Sequence, residues 1–214
     1  MSIDKAQKKD LEEIARCHKD AFPSSYTTLL GTHYLIKNYE WYLESKDTIL
    51  LVHRLESEGA IDGFAGGLLM HENSEYGSTT GVIQYTFKTA LRSLLLRPWL
   101  LFHSKMFSNY SLLLRNFAMK LNFKSRPIKS SDSSFKKIKK SLGLVVIGTN
   151  RQSRGIGVGS ELLKAFEIEA RKMNAEAMHL SVKQSNQRAI KAYIINGWKK
   201  EKKHANNFVM SKTL

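Results

Sequence analysis

Three glycines spaced two apart, Gly155, Gly157 and Gly159, follow Arg154 and open into Ser160-Glu-Leu-Leu163. Upstream, Leu142-Gly-Leu-Val-Val-Ile147 reads as a buried strand. A strand that ends in a glycine turn and starts a helix at once gathers backbone N–H donors around one point. Glycine permits left-handed φ and carries no Cβ to block an approaching group. The first helical turn leaves its N–H groups without intrahelical partners, at the positive end of the helix dipole. The chemistry this arrangement offers is capture of a phosphate or pyrophosphate. It is not a P-loop, because Gly-Lys-Ser/Thr is absent, and the glycine spacing does not fit Gly-x-Gly-x-x-Gly. On the glycines alone, a strand-to-helix turn with no ligand stays open.

A second constellation lies downstream, in Ser181-Val-Lys-Gln-Ser-Asn186-Gln-Arg-Ala189-Ile-Lys-Ala-Tyr193-Ile-Ile-Asn-Gly197-Trp198. Arg154-Gly-Ile-Gly157-Val-Gly159 followed by Leu-Leu resembles the cofactor motif of the GNAT superfamily of N-acetyltransferases. The downstream run resembles that family's next motif, in which Asn, Ala, Tyr and Gly-aromatic recur at this spacing. The match covers about residues 142–198 and points to the small-molecule branch. Two departures stand out: Arg151 and Ser153 occupy positions where the family often has a proline and an aromatic.

The resemblance implies an α/β GNAT fold: a mixed central sheet with two splayed strands, flanked by helices, here with a basic helical insertion. It implies acetyl-CoA as acyl donor. The pyrophosphate is expected on the N–H groups of Arg154, Gly155, Ile156, Gly157, Val158 and Gly159, with Arg154 adding charge. The pantetheine arm is expected between the strand at Val145–Thr149, including Ile147 and Thr149, and the strand at His179–Val182. A backbone N–H near Ile147 is expected to stabilise the oxyanion. Asn186 is expected to hydrogen-bond the pantetheine, with the N-cap of the next helix as its rival role. Tyr193 is expected to protonate the leaving thiolate, against a rival reading in which it only packs. His71 and Glu72 are candidates for the base, alongside a water relay or no role at all.

These residues need elements to hold them. Residues 10–22 read as an amphipathic helix with Leu11, Ile14, Ala15, His18, Ala21 and Phe22 on one face; a core histidine is the expected role of His18. A second helix is expected from about Thr28 to Leu43. Strands at 48–53 and 59–70 form a hairpin, and Gly63, Gly66 and Gly67 suggest a bulge or a close backbone approach. Helices at 157–173 and 187–195 alternate with strands at 142–147 and 177–182, and 208–211 forms a short last strand. The 214 residues suit one domain, interrupted by an insertion at about 72–140.

That insertion carries thirteen Lys and Arg against three Asp and Glu, ten of the chain's fifteen net positive charges. Its first part, to about Leu121, has helical periodicity, and Asn122 to Ser134 reads as a polar loop. Three readings stay open: helices that lie on an anionic membrane through 82–121, a lid whose cations face phosphates of a sugar-linked acceptor, or helices that simply show basic faces to water. The Ala21–Gly31 segment, with the insertion, resembles GNAT members of bacterial surface-polysaccharide loci. An amino-sugar acceptor is then implied, with Ser24, Ser25 and Thr28 on its side of the site.

The lone cysteine, Cys17, excludes an intrachain disulfide and fits a reducing, cytoplasmic setting. It has no local base and reads as a helix residue. No apolar run reaches the ~20 residues of a membrane span. No nucleic-acid reader motif is recognised, so nucleic acid is not an expected partner. The expected partner is a small-molecule primary amine and not a lysine-rich peptide, which a cationic surface repels. The rival functions are a non-catalytic acyl-CoA or membrane-surface module, and a protein acetyltransferase.

Overall fold

The computed structural model describes residues 2–55, 59–71, 80–102 and 140–214. Among these residues seven strands form one sheet in the order β1-β2-β3-β4-β5-β7-β6: β1 Ser2–Lys5, β2 Thr48–Arg54, β3 Ile61–His71, β4 Lys140–Thr149, β5 Ala177–Lys183, β6 Lys199–His204 and β7 Asn207–Thr213. All neighbours are antiparallel except β4 and β5, which run parallel. The mixed sheet flanked by helices agrees with the expected fold class.

The continuous apolar run of β2 is buried on both faces, and its side chains alternate between two cores. Ile49 and Leu51 join a cluster with Leu162 and Phe166 of α5 (Val158–Lys172) and Tyr193 of α6 (Gln187–Ile195). Leu50 and Val52 join the opposite cluster, with Ile14 of α1 (Leu11–Ala21) and Leu35 and Tyr39 of α3 (Thr32–Glu44). The period of two thus sorts one strand between two helical layers.

Several boundaries differ from the sequence reading. The expected second helix is two, α2 Tyr26–Leu29 and α3, because Gly31 between them takes φ +97°. Neither β1 nor β6 is foreseen. β1 is a mostly exposed Ser-Ile-Asp-Lys strand and β6 a fully exposed Lys-Lys-Glu-Lys-Lys-His strand, so neither has an apolar face to read. Both are sheet edges, where charge, lysine especially, blocks further pairing. Within the insertion, α4 Thr80–Leu96 and a 3-10 turn at Pro98–Phe102 are described. Ala90 of α4 packs with Leu30 and Tyr34, and Thr86 Oγ1 donates to the Tyr34 hydroxyl at 3.3 Å. The loop at Asn122–Ser134 and Glu72 lie outside the described residues. Among the described residues, no helix is long and apolar enough to cross a membrane.

Two buried histidines set an acid limit on this fold. Burial pulls the pKa of His18 and of His179 down to about 4. In the unfolded chain each imidazole takes its proton near pH 6.5. Between those values the unfolded state binds more protons, so stability is full above about pH 6.5 and is lost as pH falls through about 4. Each histidine accounts for on the order of 3 kcal/mol across that window. Urea midpoints at pH 7.5, 6, 5 and 4.5 should fall steadily, and His18→Gln should flatten that dependence. A midpoint independent of pH down to 4.5 would refute this assignment.

Candidate active site

The sheet opens at one place. β4 and β5 pair at Ser141↔Ala177, Leu142↔Met178, Gly143↔His179 and Leu144↔Leu180, and the ladder stops there, although β4 continues to Thr149 and β5 to Lys183. On the other side of β4, Gly67 faces Leu144 and Gly66 faces Val146, so Val145 is an extra residue in the β3–β4 ladder. A bulge bends its strand and increases the local twist. This one therefore turns the second half of β4 away from β5. Glycine is required opposite the bend, because a Cβ at Gly67 would sit 2.4 Å from Phe166 Cζ. Val145 is 38% exposed on the middle strand of a seven-stranded sheet. A solvent-facing valine at that position marks a cleft. Ile147 and Thr149, half-buried, continue along its wall. Beyond Leu144, the β5-facing edge of β4 presents backbone groups with no ladder partner in β5.

The glycine loop begins directly after β4. Gly157 caps α5 in the left-handed region at φ +105°, and Gly155 has φ +87°. A Cβ built at Gly155, Gly157 or Gly159 meets nothing within 4 Å, so this loop is an open cradle and not a packing contact. The N–H groups of Gly155, Ile156 and Gly157 have no backbone acceptor among the described residues, whereas Ser160 and Glu161 donate to the Gly157 carbonyl. Val158 and Gly159 open α5, and so have no upstream helical carbonyl. Ile156 is 58% exposed above the loop, and Val158 is buried beneath it. These features fit a pyrophosphate.

Arg154 has a role that the sequence does not reveal: its guanidinium donates to the Ala21 carbonyl at 3.0 Å, at the end of α1. Arg151, in the position of the expected proline, pairs with Asp20 through both its backbone N–H and its side chain. Ser153, in the aromatic's position, is buried, and its N–H donates to Asn150 Oδ1 at 2.8 Å. The loop is thus shaped by hydrogen bonds from Arg151 and Arg154 to α1 and from Ser153 to Asn150.

Tyr193 is buried against Trp198, with ring centroids 5.9 Å apart, in the same core cluster as Leu144 and Val158, with Ile147 packed on that cluster. Burial pushes its hydroxyl up to about 12, which keeps the phenol protonated at neutral pH. Asn196 Nδ2 donates to Ser160 Oγ at 3.0 Å, tying the end of α6 to the first turn of α5. Gly197, at φ +83°, ends α6 and lets the Trp198 N–H return to the Tyr193 carbonyl. Asn186 caps α6, its side-chain oxygen accepting from the Ala189 N–H at 3.2 Å. The rival role for Asn186 is therefore occupied in this structure, and its amide N–H₂ is the part left to offer a ligand.

The acceptor-side residues are partly engaged in folding their own loop. Ser25 Oγ accepts from the Thr28 N–H, and Thr28 Oγ1 donates to the Phe22 carbonyl. His18 bridges Tyr39 Oη at 2.6 Å and Thr27 Oγ1 at 2.8 Å, a buried core histidine as its helix face indicated. Phe22 reaches the end of β4, where a Cβ on Gly148 would stand 2.9 Å from its ring. Cys17 is buried, and burial followed by the charge of Asp62 raises its thiol to about 12, so it is no nucleophile. His71 ends β3 opposite Lys140. A further group was missed. His53, inside β2, contacts Asp62 Oδ1 at 2.5 Å and Glu161 Oε2 at 3.2 Å, linking β2 and β3 to the first turn of α5. Only a histidine and an aspartate inside otherwise apolar strands signalled it. Among the described residues, no cluster of His, Cys, Asp or Glu could hold a metal.

Comparison with known proteins follows the same lines. Residues 135–198 match the sequence model of the acetyltransferase (GNAT) family. Among curated proteins, none matches this chain. Solved structures share its fold. PaiA N-acetyltransferase from Thermoplasma acidophilum, in complex with coenzyme A, is 13% identical, with all of both chains covered and a TM-score of 0.58. Arabidopsis thaliana NAA60, in complex with acetyl-CoA, is also 13% identical, with 100% of this chain and 98% of that chain covered and a TM-score of 0.58. Ribosomal-protein-alanine N-acetyltransferase from Brucella melitensis is 15% identical, with all of both chains covered and a TM-score of 0.55.

Proposed function

We propose that this chain belongs to the GNAT acetyltransferase superfamily, which the match of residues 135–198 and the shared fold support, and that it transfers acetyl from acetyl-CoA to a primary amine of a small molecule, of the nucleotide-linked amino-sugar class. One observation carries the acetyl-transfer reading: the middle strand of the sheet bulges at Val145, parts from β5 and ends in an open glycine cradle. A cleft beside an anion cradle suits a ligand that is long, extended and phosphorylated at one end.

Acetyl-CoA supplies a thioester: the amine nitrogen bonds to the acetyl carbon, the C–S bond breaks, and the proton lost from nitrogen passes to water. The chain's own residues do the rest. The N–H groups of Gly155, Ile156, Gly157, Val158 and Gly159 receive the pyrophosphate. Arg154 braces the loop on α1 and adds its charge. The unpaired edge of β4 from Val145 to Thr149, including Ile147, hydrogen-bonds an extended arm and offers an N–H to the reacting carbonyl oxygen. The amide N–H₂ of Asn186 supports the same arm. Tyr193 presents a proton at the thiolate. Much of the rate comes from holding amine and thioester in contact.

The acceptor class rests on charge. A chain at +15 repels lysine-rich peptides and attracts phosphorylated small molecules. Thiol release from acetyl-CoA, followed with nucleotide-linked amino sugars, simple amines and basic peptides, should be fastest with the amino sugars. Turnover confined to the peptides would overturn the small-molecule assignment and leave acetyl transfer standing. A membrane-surface contact is favoured by a separate observation: Leu91, Leu95 and Trp99 are 45%, 74% and 64% exposed, beside Lys88, Arg92 and Arg97. That mixture suits the interface of an anionic bilayer.

A further inference from the structure

The insertion and the α2–α3 corner flank a second cationic site, open to solvent, in which Arg92 and Arg97 are exposed. Helix α4 docks on α3, and beside that contact lies an open groove of about 310 Å³. Arg92 and Ser93 line it from α4, Arg97 from just past the end of that helix, and Gly31, Thr32 and His33 from the corner. No carboxylate lines it among the described residues. Two guanidiniums and no anion leave a pocket electrostatically incomplete.

The pocket is shaped by its arginines. Arg97 Nη1 donates to the Leu29 carbonyl at 3.2 Å, which fixes the guanidinium over the corner. It lies so close that a Cβ on Gly31 would stand 2.9 Å from Nη1. Gly31, at φ +97°, both breaks the two helices apart and leaves room for that guanidinium. Ser93 Oγ donates to the Thr89 carbonyl. At the rim, Lys19 Nζ donates to Thr32 Oγ1 at 2.6 Å. A third cation therefore stands at the edge.

The position matters as much as the charge. Lys19 touches the rim of this pocket, and the next residue, Asp20, holds Arg151 at the start of the glycine loop. The end of α1 thus separates two anion-attracting sites. We infer that the Arg92–Arg97 pocket binds the phosphate or diphosphate group of the acceptor. This deepens the proposed acetyl-transfer function, yet binding to the pocket is measurable without turnover. Planar guanidiniums take phosphate oxygens in pairs, so two arginines suit a diphosphate better than a single carboxylate. A phosphate of this kind reaches the protein on a soluble nucleotide or on a lipid. The exposed Leu95 and Trp99 beside the pocket make the lipid source a real arm of the test.

Calorimetry with the full chain separates these cases. Coenzyme A binding is measured first; it tests the acetyl-CoA site alone. Inorganic pyrophosphate and uridine diphosphate are then titrated into coenzyme A-saturated protein, so that the glycine cradle is already filled. Saturable binding is expected, weakened by at least about tenfold in the Arg92→Gln/Arg97→Gln double variant, as loss of charge-assisted bonds requires. Arg97 also holds the corner, so Arg92→Gln alone is the gentler variant and should weaken binding in the same direction. If coenzyme A does not bind, the same titrations are read on the unliganded protein, where the arginine dependence still decides. Vesicles of phosphatidylcholine with and without phosphatidic acid form the second arm. Arginine-dependent binding to the soluble diphosphates assigns a nucleotide source, and arginine-dependent binding only to phosphatidic acid assigns a lipid source. No saturable binding in either arm, or binding equal in wild type and both variants, overturns the inference, and intact coenzyme A binding in that case leaves acetyl transfer untouched.

Discussion

Gly159→Trp should abolish acetyl-CoA binding and leave the fold intact. Gly159 lies in the first turn of α5, its φ is outside the left-handed region, and a Cβ there meets nothing within 4 Å. A large side chain can therefore grow from it without backbone strain and without displacing core atoms. It would occupy the space above the cradle where the pyrophosphate is proposed to sit. Tryptophan is also a better helix residue than glycine by a few tenths of a kcal/mol. The expected result is an acetyl-CoA Kd raised by at least about 100-fold, close to 2.8 kcal/mol, with a thermal midpoint equal to wild type or slightly higher. Gly157→Trp is the less clean variant: at φ +105° any side chain costs about 1–3 kcal/mol of strain, so lost binding would be mixed with lost stability. Calorimetry and a thermal melt on Gly159→Trp decide the matter. A stable variant that binds acetyl-CoA as wild type does would remove the glycine loop from the cofactor site.

The contrast between those two glycines also marks what is legible in a sequence. The loop is legible because its chemistry is local: glycine spacing, a preceding buried strand and a following helix predict a strand-to-helix turn able to take an anion, and the structure shows an open glycine turn at the start of α5. The cleft is legible only in outline. The resemblance placed the splay at Val145–Thr149 against His179–Val182, and β4 does part from β5 after Leu144, so His179, still paired with Gly143, lies just short of the opening. The bulge at Val145 was not readable, because it depends on register with β3, and register is a tertiary quantity. The glycines at 66 and 67 hinted at it, yet the reason Gly67 must be glycine is Phe166, ninety-nine positions away in sequence.

Residues with two competing roles were the least legible. Asn186 could be read either as a ligand group or as a cap, and its oxygen caps α6. Arg154 reads as a charge for a phosphate, and its guanidinium holds the Ala21 carbonyl. Long-range partners decide such cases, and spacing along the chain does not encode them. The edge strands β1 and β6 failed for the opposite reason: they carry no apolar periodicity, because their purpose at the sheet edge is to remain charged.

The second large effect is expected at Tyr193. Tyr193→Phe removes one hydroxyl and keeps the ring packed against Trp198, so fold and acetyl-CoA affinity should stay close to wild type. If the hydroxyl serves the leaving thiolate, kcat should fall by about 100-fold or more, the usual size of a lost acid–base group. Its protonation state supports a donor role, since burial pushes its pKa up to about 12. Yet a full proton transfer from so weak an acid to a thiolate, whose thiol ordinarily titrates near ~8.5, runs uphill by several kcal/mol. Burial raises the thiol in the same apolar surroundings, which narrows that gap. The consistent role is a strong hydrogen bond to the departing sulfur, with the proton following as charge builds there. The pH profile separates this from simple packing. Tyr193 should impose no alkaline limb below about pH 10 on the wild-type rate, and any limb nearer neutrality, belonging to the amine or its base, should persist in Tyr193→Phe at the reduced rate. A variant with wild-type kcat would make Tyr193 a packing residue, and the thiolate would then have to take its proton from water or from the acceptor ammonium.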